Sequence, residues 1–504
     1  MKVRRTRCST RTKYKLGGYI QMAGKSGAVE VQAPDLARSH QGRTQEGFAQ
    51  DLFDKQKAYF ATDVTKTYDW RIDQLDRLTR MLKENKERFS EASKRDFKTA
   101  VEENVFEVTG SIASIEFTKS QLAEWMKPVE APIPTFLAES GHKGIVYREP
   151  YGVTLIICPF NGPLLLSLRP AATALSAGNP CLLKLSEALL ATDELLLELI
   201  PKYFEPEAFA AVTGSREEVT ELLRLPFDFM FLTGSVGAGK AVMKAAAEHL
   251  TPVVLELGGQ NPAIVDETAN LPDAAKKIVW GAMAWGGQWC TSLGYAAVHE
   301  SVAETFVAEC KKSVLELYGN DPKSNSDYSR IINSSAVKRL ASLIDPTKVV
   351  AGGKFDESAC YLDPTLLYPV LWSDKIMKDE IFGPILPILT YSDLGELLAK
   401  IKSLPKPLAG YVFSRDQQAI DQVLRSLSFG GGAVNETNIQ VFIESMPFGG
   451  VGSSGVGNYY GKYGFDSLTH AKSILFSPPD VAIDHLFPPY TMEKVHALNQ
   501  WFDY

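Results

Sequence analysis

Residues 255–292 read LELGGQNPAIVDETANLPDAAKKIVWGAMAWGGQWCTS. The stretch opens on a carboxylate beside a glycine pair, Glu256-Leu257-Gly258-Gly259, and closes on a thiol behind another, Gly286-Gly287-Gln288-Trp289-Cys290. Between them, residues 262–265 form an apolar run that reads as a strand, and residues 272–284 carry Ala275, Ile278, Val279 and Met283 at helical spacing. A strand, a helix and two glycine turns bring carboxylate and thiol to one cleft. That pairing suits nucleophilic catalysis on a carbonyl: sulfur attacks, and the carboxylate later deprotonates the water that releases the acyl group. A lone Cys behind a tight turn is, by itself, more often a small buried hydrophobe. The rest of the chain has to decide.

Working outward on the N-terminal side, the sequence alternates. Residues 153–157, 180–184, 209–212, 227–232 and 252–255 read as strands; residues 163–175, 192–200, 217–223 and 236–249 read as helices. Strands alternating with helices imply a parallel, doubly wound sheet buried on both faces, and ligands on such sheets sit beyond the carboxyl ends of the strands. The loops there are Cys158-Pro159-Phe160-Asn161-Gly162-Pro163, Lys184-Leu185-Ser186-Glu187 and Thr233-Gly234-Ser235. The last opens a helix, so its amides and the Ser235 hydroxyl suit a phosphate. Gly234 to Lys240 also fits the phosphate loop of nucleotide hydrolases, but Ala241 stands where the metal-binding hydroxyl belongs.

Further out, residues 68–99 read as one long amphipathic helix and residues 106–126 as another. Pro128, Pro132 and Pro134 make residues 127–140 a linker or arm without regular structure. Beyond the thiol, residues 303–317 and 335–344 read as helices, 348–351 as a strand, and 473–476 as an edge strand. Residues 1–21 carry seven Lys or Arg and no acid. An organelle transit peptide and a disordered basic tail both fit; the missing apolar face favours the tail, and Met22 is an alternative start.

Bulk properties narrow the classes. A chain of 504 residues needs two or three domains. A net charge of −7 disfavours nucleic acid as a partner. Six scattered cysteines, with no C-x-x-C pair or Cys/His cluster, point to a reducing compartment, cytoplasmic unless the basic start directs mitochondrial import, and to no metal site. No run of 18 apolar residues occurs, so no transmembrane segment is expected.

Taken together, seven motifs in order resemble the aldehyde dehydrogenase superfamily over residues 75–479: Pro159-Phe160-Asn161, Lys184-Leu185-Ser186-Glu187, Leu232-Thr233-Gly234-Ser235, Glu256-Leu257-Gly258-Gly259, Gly287-Gln288-Trp289-Cys290, Glu380-Ile381-Phe382-Gly383-Pro384 and Pro447-Phe448-Gly449-Gly450. The ending from Ser454 to Asp466 looks most like class 3, which includes oxidisers of fatty, aromatic and apocarotenoid aldehydes. The resemblance implies an α/β fold of two doubly wound parallel-sheet domains plus an oligomerisation arm. Its domains would be a tail (1–45), an NAD-binding domain (46–255, with 127–150 as arm), a catalytic domain (256–445), a crossover and oligomerisation strand (446–480) and a C-terminal tail (481–504). It implies oxidation of an apolar aldehyde to the acid by a homodimer. Cys290 would be nucleophile, Glu256 the water-activating base, and Asn161, with the Cys290 amide, the oxyanion donor. Lys184 and Glu187 would meet the adenosine ribose of NAD, Gly234 and Ser235 the pyrophosphate, Glu380 the nicotinamide ribose and Phe382 the nicotinamide. A carboxylate at the ribose favours NAD, with NADP an alternative. Two departures stand out. Trp289 replaces a smaller residue, suggesting a pocket for flat or long apolar substrates, and Gln260 replaces a common Lys. Transfer of the acyl group to coenzyme A, and a catalytically retired binding protein, are the competing readings; Asn161, Glu256, Cys290 and Glu380 together oppose the last. Among the tail residues, Phe487, Tyr490, Leu498, Trp501 and Phe502 suit a peripheral membrane contact, and the prolines and charges around them exclude a span.

Overall fold

The computed structural model describes residues 48–499 and Trp501. The expectations for residues 1–45 and for Phe502 lie outside the described residues.

The alternating N-terminal half forms a six-stranded sheet. Across it lie Gly455–Val456, Val253–Glu256, Phe229–Thr233, Thr154–Ile157, Cys181–Lys184 and Phe209–Val212. The last five are mutually parallel, and Gly455–Val456 runs antiparallel to Val253–Glu256. The parallel strands are apolar apart from Thr154, Lys184, Thr233 and Glu256 at their ends, as a sheet covered by helices on both faces requires; Cys181–Lys184 and Phe229–Thr233 are buried along their whole length. The chain starts this sheet in the middle at Thr154–Ile157, builds outward to Phe209–Val212, then returns to place Phe229–Thr233 on the other side of the first strand. The strand order reverses there, and the Asn161 and Ser235 loops begin at the carboxyl ends of those two strands, the place where sheets of this kind bind ligands.

A seven-stranded sheet follows, ordered Val349–Ala351, Thr365–Leu367, Ile385–Tyr391, Leu293–His299, Asn261–Val265, Ala409–Phe413 and Gly431–Val434. Only Val349–Ala351 is antiparallel. Pro262 sits inside a central strand, and its missing N–H is accommodated by a register shift at Asn261/Pro262. Glu256 therefore closes the first sheet, and Cys290 precedes a strand of the second.

Four expectations need correction. The helix expected over 68–99 is two helices, Tyr68–Glu84 and Lys86–Asp96. Asn85 leaves helical geometry (φ −119°, ψ 21°) and its amide donates to Met81 O and Tyr203 Oη. The apolar spacing runs across the break because Leu75, Leu78, Met81, Leu82 and Phe89 enter one core. The helix expected over 106–126 starts earlier, at Val101–Val105, and passes through a π-helical turn, Phe106–Gly110, before Ser111–Trp125. Residues 127–140 are not without regular structure: the prolines bracket strand Val129–Ala131 and helix Thr135–Glu139. That strand pairs with Lys143–Pro150, whose other edge carries Thr469–Phe476 in an eight-residue antiparallel register. The strand expected over 473–476 is thus twice as long and remains the edge of a three-stranded sheet. Near the end, helix Met492–Asn499 leads to Trp501, whose Nε1 donates to His485 and whose ring lies 4.8 Å from that of Phe136. Among the described residues no helix is long and apolar enough to cross a membrane.

Candidate active site

The thiol loop is built by backbone that few residues adopt. Helix Leu271–Met283 ends, and Trp285, Gly286 and Gly287 follow at φ 57°, 62° and 66°. A Cβ on Gly287 would lie 2.2 Å from the Gly383 carbonyl carbon, so glycine lets the thiol loop close on the Phe382-Gly383 segment. Gln288 pins the turn: its amide donates to Trp285 O and Arg330 O and accepts from Ile332 N. Asn261 donates to Cys290 O (2.9 Å) and Ser292 O (2.7 Å) and accepts from Ala409 N, while Tyr411 Oη donates to Thr291 O. These three supports were not found from sequence, because each partner is remote in the chain.

Electrostatics tie Cys290 to Glu256. Burial pushes the Cys290 thiol up to about 12, the charges of Glu256 and Glu380 push the same way, and the amides of Cys290 and Thr291 oppose them. Glu256, 2 % exposed, has no hydrogen-bond partner on either carboxyl oxygen, and burial raises it well above the usual carboxylate range. Glu256, which ends a strand of one sheet, and Cys290, which leads into a strand of the other, therefore share one buried site. Asn161 is equally buried, and its Nδ2 has no acceptor. An unsatisfied buried N–H₂ costs about 1–3 kcal/mol, a cost an incoming oxyanion removes. Phe160 beside it packs edge-on against Phe382 (5.8 Å), so the Asn161, Phe382 and Cys290 loops converge.

The wall behind the thiol is aromatic. Trp289 stacks on Trp285 at 4.5 Å and 7°, and meets Trp280 and Phe442 edge-on.

The residues expected to hold a dinucleotide stand at strand and helix ends. Lys184, buried at the end of its strand, pairs with the exposed Glu187 at 3.0 Å. Ser235 caps helix Val236–Ala247, its Oγ accepting from Ala238 N, with Gly234 before it. The phosphate-loop look-alike is this helix start, with Gly239 and Lys240 inside the helix. Burial lifts Glu380 to about 7 against the opposing Gly259 N–H and Arg339. Its carboxylate lies where a Cβ on Gly258 would stand, 2.2 Å away, so Gly258 makes the room. Phe382 has φ 48°, and Arg339 donates to the Ile381 and Phe382 carbonyls. Gln260, the unusual residue, donates to Ile376 O and Asp379 O, anchoring the approach to Glu380. A carboxylate–ammonium pair with Glu187 exposed, a helix N-terminus opened by Gly234-Ser235 and the Glu380 carboxylate are groups that suit ribose hydroxyls and a pyrophosphate, so the residues fit NAD(P). A separate cleft of about 830 Å³, lined by Lys311, Asp321, Lys323, Asp356 and Tyr361 among others, contains none of these groups.

The site brings a buried thiol, a buried carboxylate and an unpaired amide donor to the ends of two α/β sheets. The chain belongs to the aldehyde dehydrogenase family, whose model matches residues 46–474, and is an NAD(P)-dependent oxidoreductase acting on aldehyde groups. It is 41% identical over 437 residues to the 4,4'-diaponeurosporen-aldehyde dehydrogenase of Staphylococcus aureus, covering 86% of this chain and 95% of that one. It is 37% identical over 450 residues to human aldehyde dehydrogenase family 3 member B1, covering 89% and 93%. A solved substrate-bound structure of Staphylococcus aureus AldH superposes with a TM-score of 0.87 at 39% identity, covering 90% of this chain and 99% of that one.

Proposed function

We propose that this chain oxidises apolar aldehydes to carboxylic acids, with Cys290 as nucleophile, Asn161 as oxyanion donor and Glu256 as the base for water. The observation that carries the assignment is the pair of buried, partnerless groups, Glu256 and the Asn161 amide, around a thiol that feels the Glu256 charge. Cys290 gives its proton up to solvent, the Cys290 and Thr291 amides stabilising the thiolate; its Sγ then bonds to the aldehyde carbon as the C=O π pair moves to oxygen, and the oxyanion takes hydrogen bonds from Asn161 Nδ2 and the Cys290 N–H. NAD(P), when bound, supplies a cationic ring and accepts the hydride, leaving a thioester on Cys290. Glu256, once ionised, takes a proton from water, which attacks the thioester; the acid leaves and the thiol is regenerated. Glu256 offers an ionisable oxygen with no other partner, which favours water over coenzyme A as acceptor. The same like charge that raises the thiol argues against Glu256 as its base.

We assign residues 46–255 to cofactor binding, 256–445 to catalysis and 446–480 to the crossover and arm. Glu187 supports NAD over NADP, since a carboxylate accepts a ribose 2′-hydroxyl and repels a 2′-phosphate. The exposed edge strand supports a homodimer, and the described cysteines, all free, support the cytoplasm. Trp280, Trp285, Trp289 and Phe442 support an apolar, flat or extended substrate, as does the aldehyde for which the Staphylococcus relative is named. The test is NADH absorbance at saturating NAD across aliphatic, aromatic and polyene aldehydes, with products analysed with and without coenzyme A. Rising kcat/KM with apolar length and a free acid product are expected; preference for small hydrophilic aldehydes, or an acyl-coenzyme A product, contradicts the reading.

A further inference from the structure

Fully buried beneath the site is a charged cluster that the reaction does not use. Lys98, Glu103 and Glu107 are at most 2 % exposed. Glu103 Oε1 accepts from Trp285 N (2.8 Å), the first residue of the left-handed turn leading to Cys290, and its Oε2 accepts from Ser329 Oγ (2.7 Å). Glu107 Oε2 accepts from both Leu164 N and Leu165 N (2.9 Å each), where the Asn161 loop enters its helix. Lys98 Nζ lies 3.0 Å from Glu107 Oε1 and 3.2 Å from the centre of the Trp285 ring, which stacks on Trp289. Asn104 fixes the Lys98 carbonyl. The two carboxylates stand four residues apart, across the junction of helix Val101–Val105 with the π-helical turn Phe106–Gly110. One element outside both large sheets thus grips the backbone of the nucleophile loop with one acid and that of the oxyanion loop with the other, with Lys98 beside both acids.

Buried ions of this kind add little net stability, because desolvation offsets their attraction. What they supply is fixed geometry. Asn161 and Cys290 hang from different loops on different sheets, and a displacement of about 1 Å between reacting groups is worth about 100-fold in rate.

We propose that Lys98, Glu103 and Glu107 form a positioning cluster that sets the Asn161 amide against the Cys290 sulfur. The inference rests on the roles proposed above for those two residues. Glu103 is the point to probe. Glutamine there keeps both contacts, its carbonyl accepting from Trp285 N–H and its amide donating to Ser329 Oγ, whereas alanine removes both.

The experiment compares full-length wild type, Glu103→Ala, Glu103→Gln, Ser329→Ala and Cys290→Ser in the first-turnover burst of NADH. KM for aldehyde, NAD affinity by tryptophan quenching, and alkylation of Cys290 by iodoacetamide are followed alongside. For Glu103→Ala the burst should slow about 10- to 100-fold, with aldehyde KM and NAD affinity within about 3-fold of wild type, and Glu103→Gln should restore the rate to within about 3-fold. A wild-type burst in Glu103→Ala overturns the proposal. So does an equal loss in alanine and glutamine variants, or a loss shared by KM and NAD affinity, which marks general disruption. Should Glu103→Ala not fold, Ser329→Ala decides: a burst slowed several-fold supports the cluster, and an unchanged one overturns it. Turnover surviving in Cys290→Ser defeats the underlying site assignment instead, and is thereby distinguished.

Discussion

Asn161 holds a buried N–H₂ that none of the described residues accepts. Removing it relieves that unsatisfied group while taking a donor from the oxyanion, so the two effects separate in measurement. Asn161→Ala should leave thermal stability equal to or above wild type and lower kcat by about 10²- to 10³-fold, about 3 kcal/mol of barrier. Differential scanning calorimetry with steady-state kinetics checks this; an intact kcat removes Asn161 from the oxyanion site. That Cys290 and Glu256 meet was readable from a thiol and a carboxylate each set beside a glycine pair, and Asn161 was expected through the family resemblance. Asn261, Gln288 and Glu103 were not legible. Each reads locally as an ordinary polar residue, and Glu103 meets its Trp285 partner across 182 positions. Gln260 was noticed only as a departure, and its two carbonyl partners give it a structural role.

Among the elements, helix Ala191–Tyr203 carries the clearest pH signature. Asp96 accepts from the amides of Leu190, Ala191 and Thr192 at its start. Asp193 next to them is buried, and burial, reinforced by the charge of Asp96, pushes it up to about 8. In the unfolded chain Asp193 ionises near the ordinary 3.8, so between about pH 4 and 8 the folded state binds the extra proton. Stability is therefore lost as pH rises through this window, by up to about 1.4 kcal/mol per pH unit from this residue. Asp193→Asn cannot titrate and should gain on wild type from pH 5 to pH 8 in denaturant midpoint. A constant difference over that range contradicts the assignment. Apolar runs made the five parallel strands of the first sheet legible to within two residues. Breaks were harder: periodicity continues through Asn85 because both helices bury the same face, and prolines at 128, 132 and 134 punctuate short elements rather than abolish them.

Across the whole molecule, the exposed edge strand and the meeting of two sheets matter most. Thr469–Phe476 is solvent-exposed beyond its first residue, with Ile474, Leu475 and Phe476 at 37%, 55% and 47% exposure. A long apolar edge invites a partner. Leu475→Lys should shift a proposed dimer to monomer in sedimentation velocity at micromolar protein; a chain already monomeric, or an unshifted dimer, contradicts that use of the strand. The sequence could not show that residues 143–150 would supply its inner neighbour, since pairing across more than 300 positions leaves no local trace. The same holds for the active site, where Glu256 ends one sheet and Cys290 leads into another. That convergence is tested most directly by mixing Glu256→Gln with an aromatic aldehyde and NAD, quenching in acid, and mapping the protein by mass spectrometry. The account predicts one NADH per site and an acyl group accumulating on Cys290, because sulfur captures the carbonyl but water is no longer activated. Undiminished turnover with no adduct, or an acyl group on any other cysteine, contradicts it.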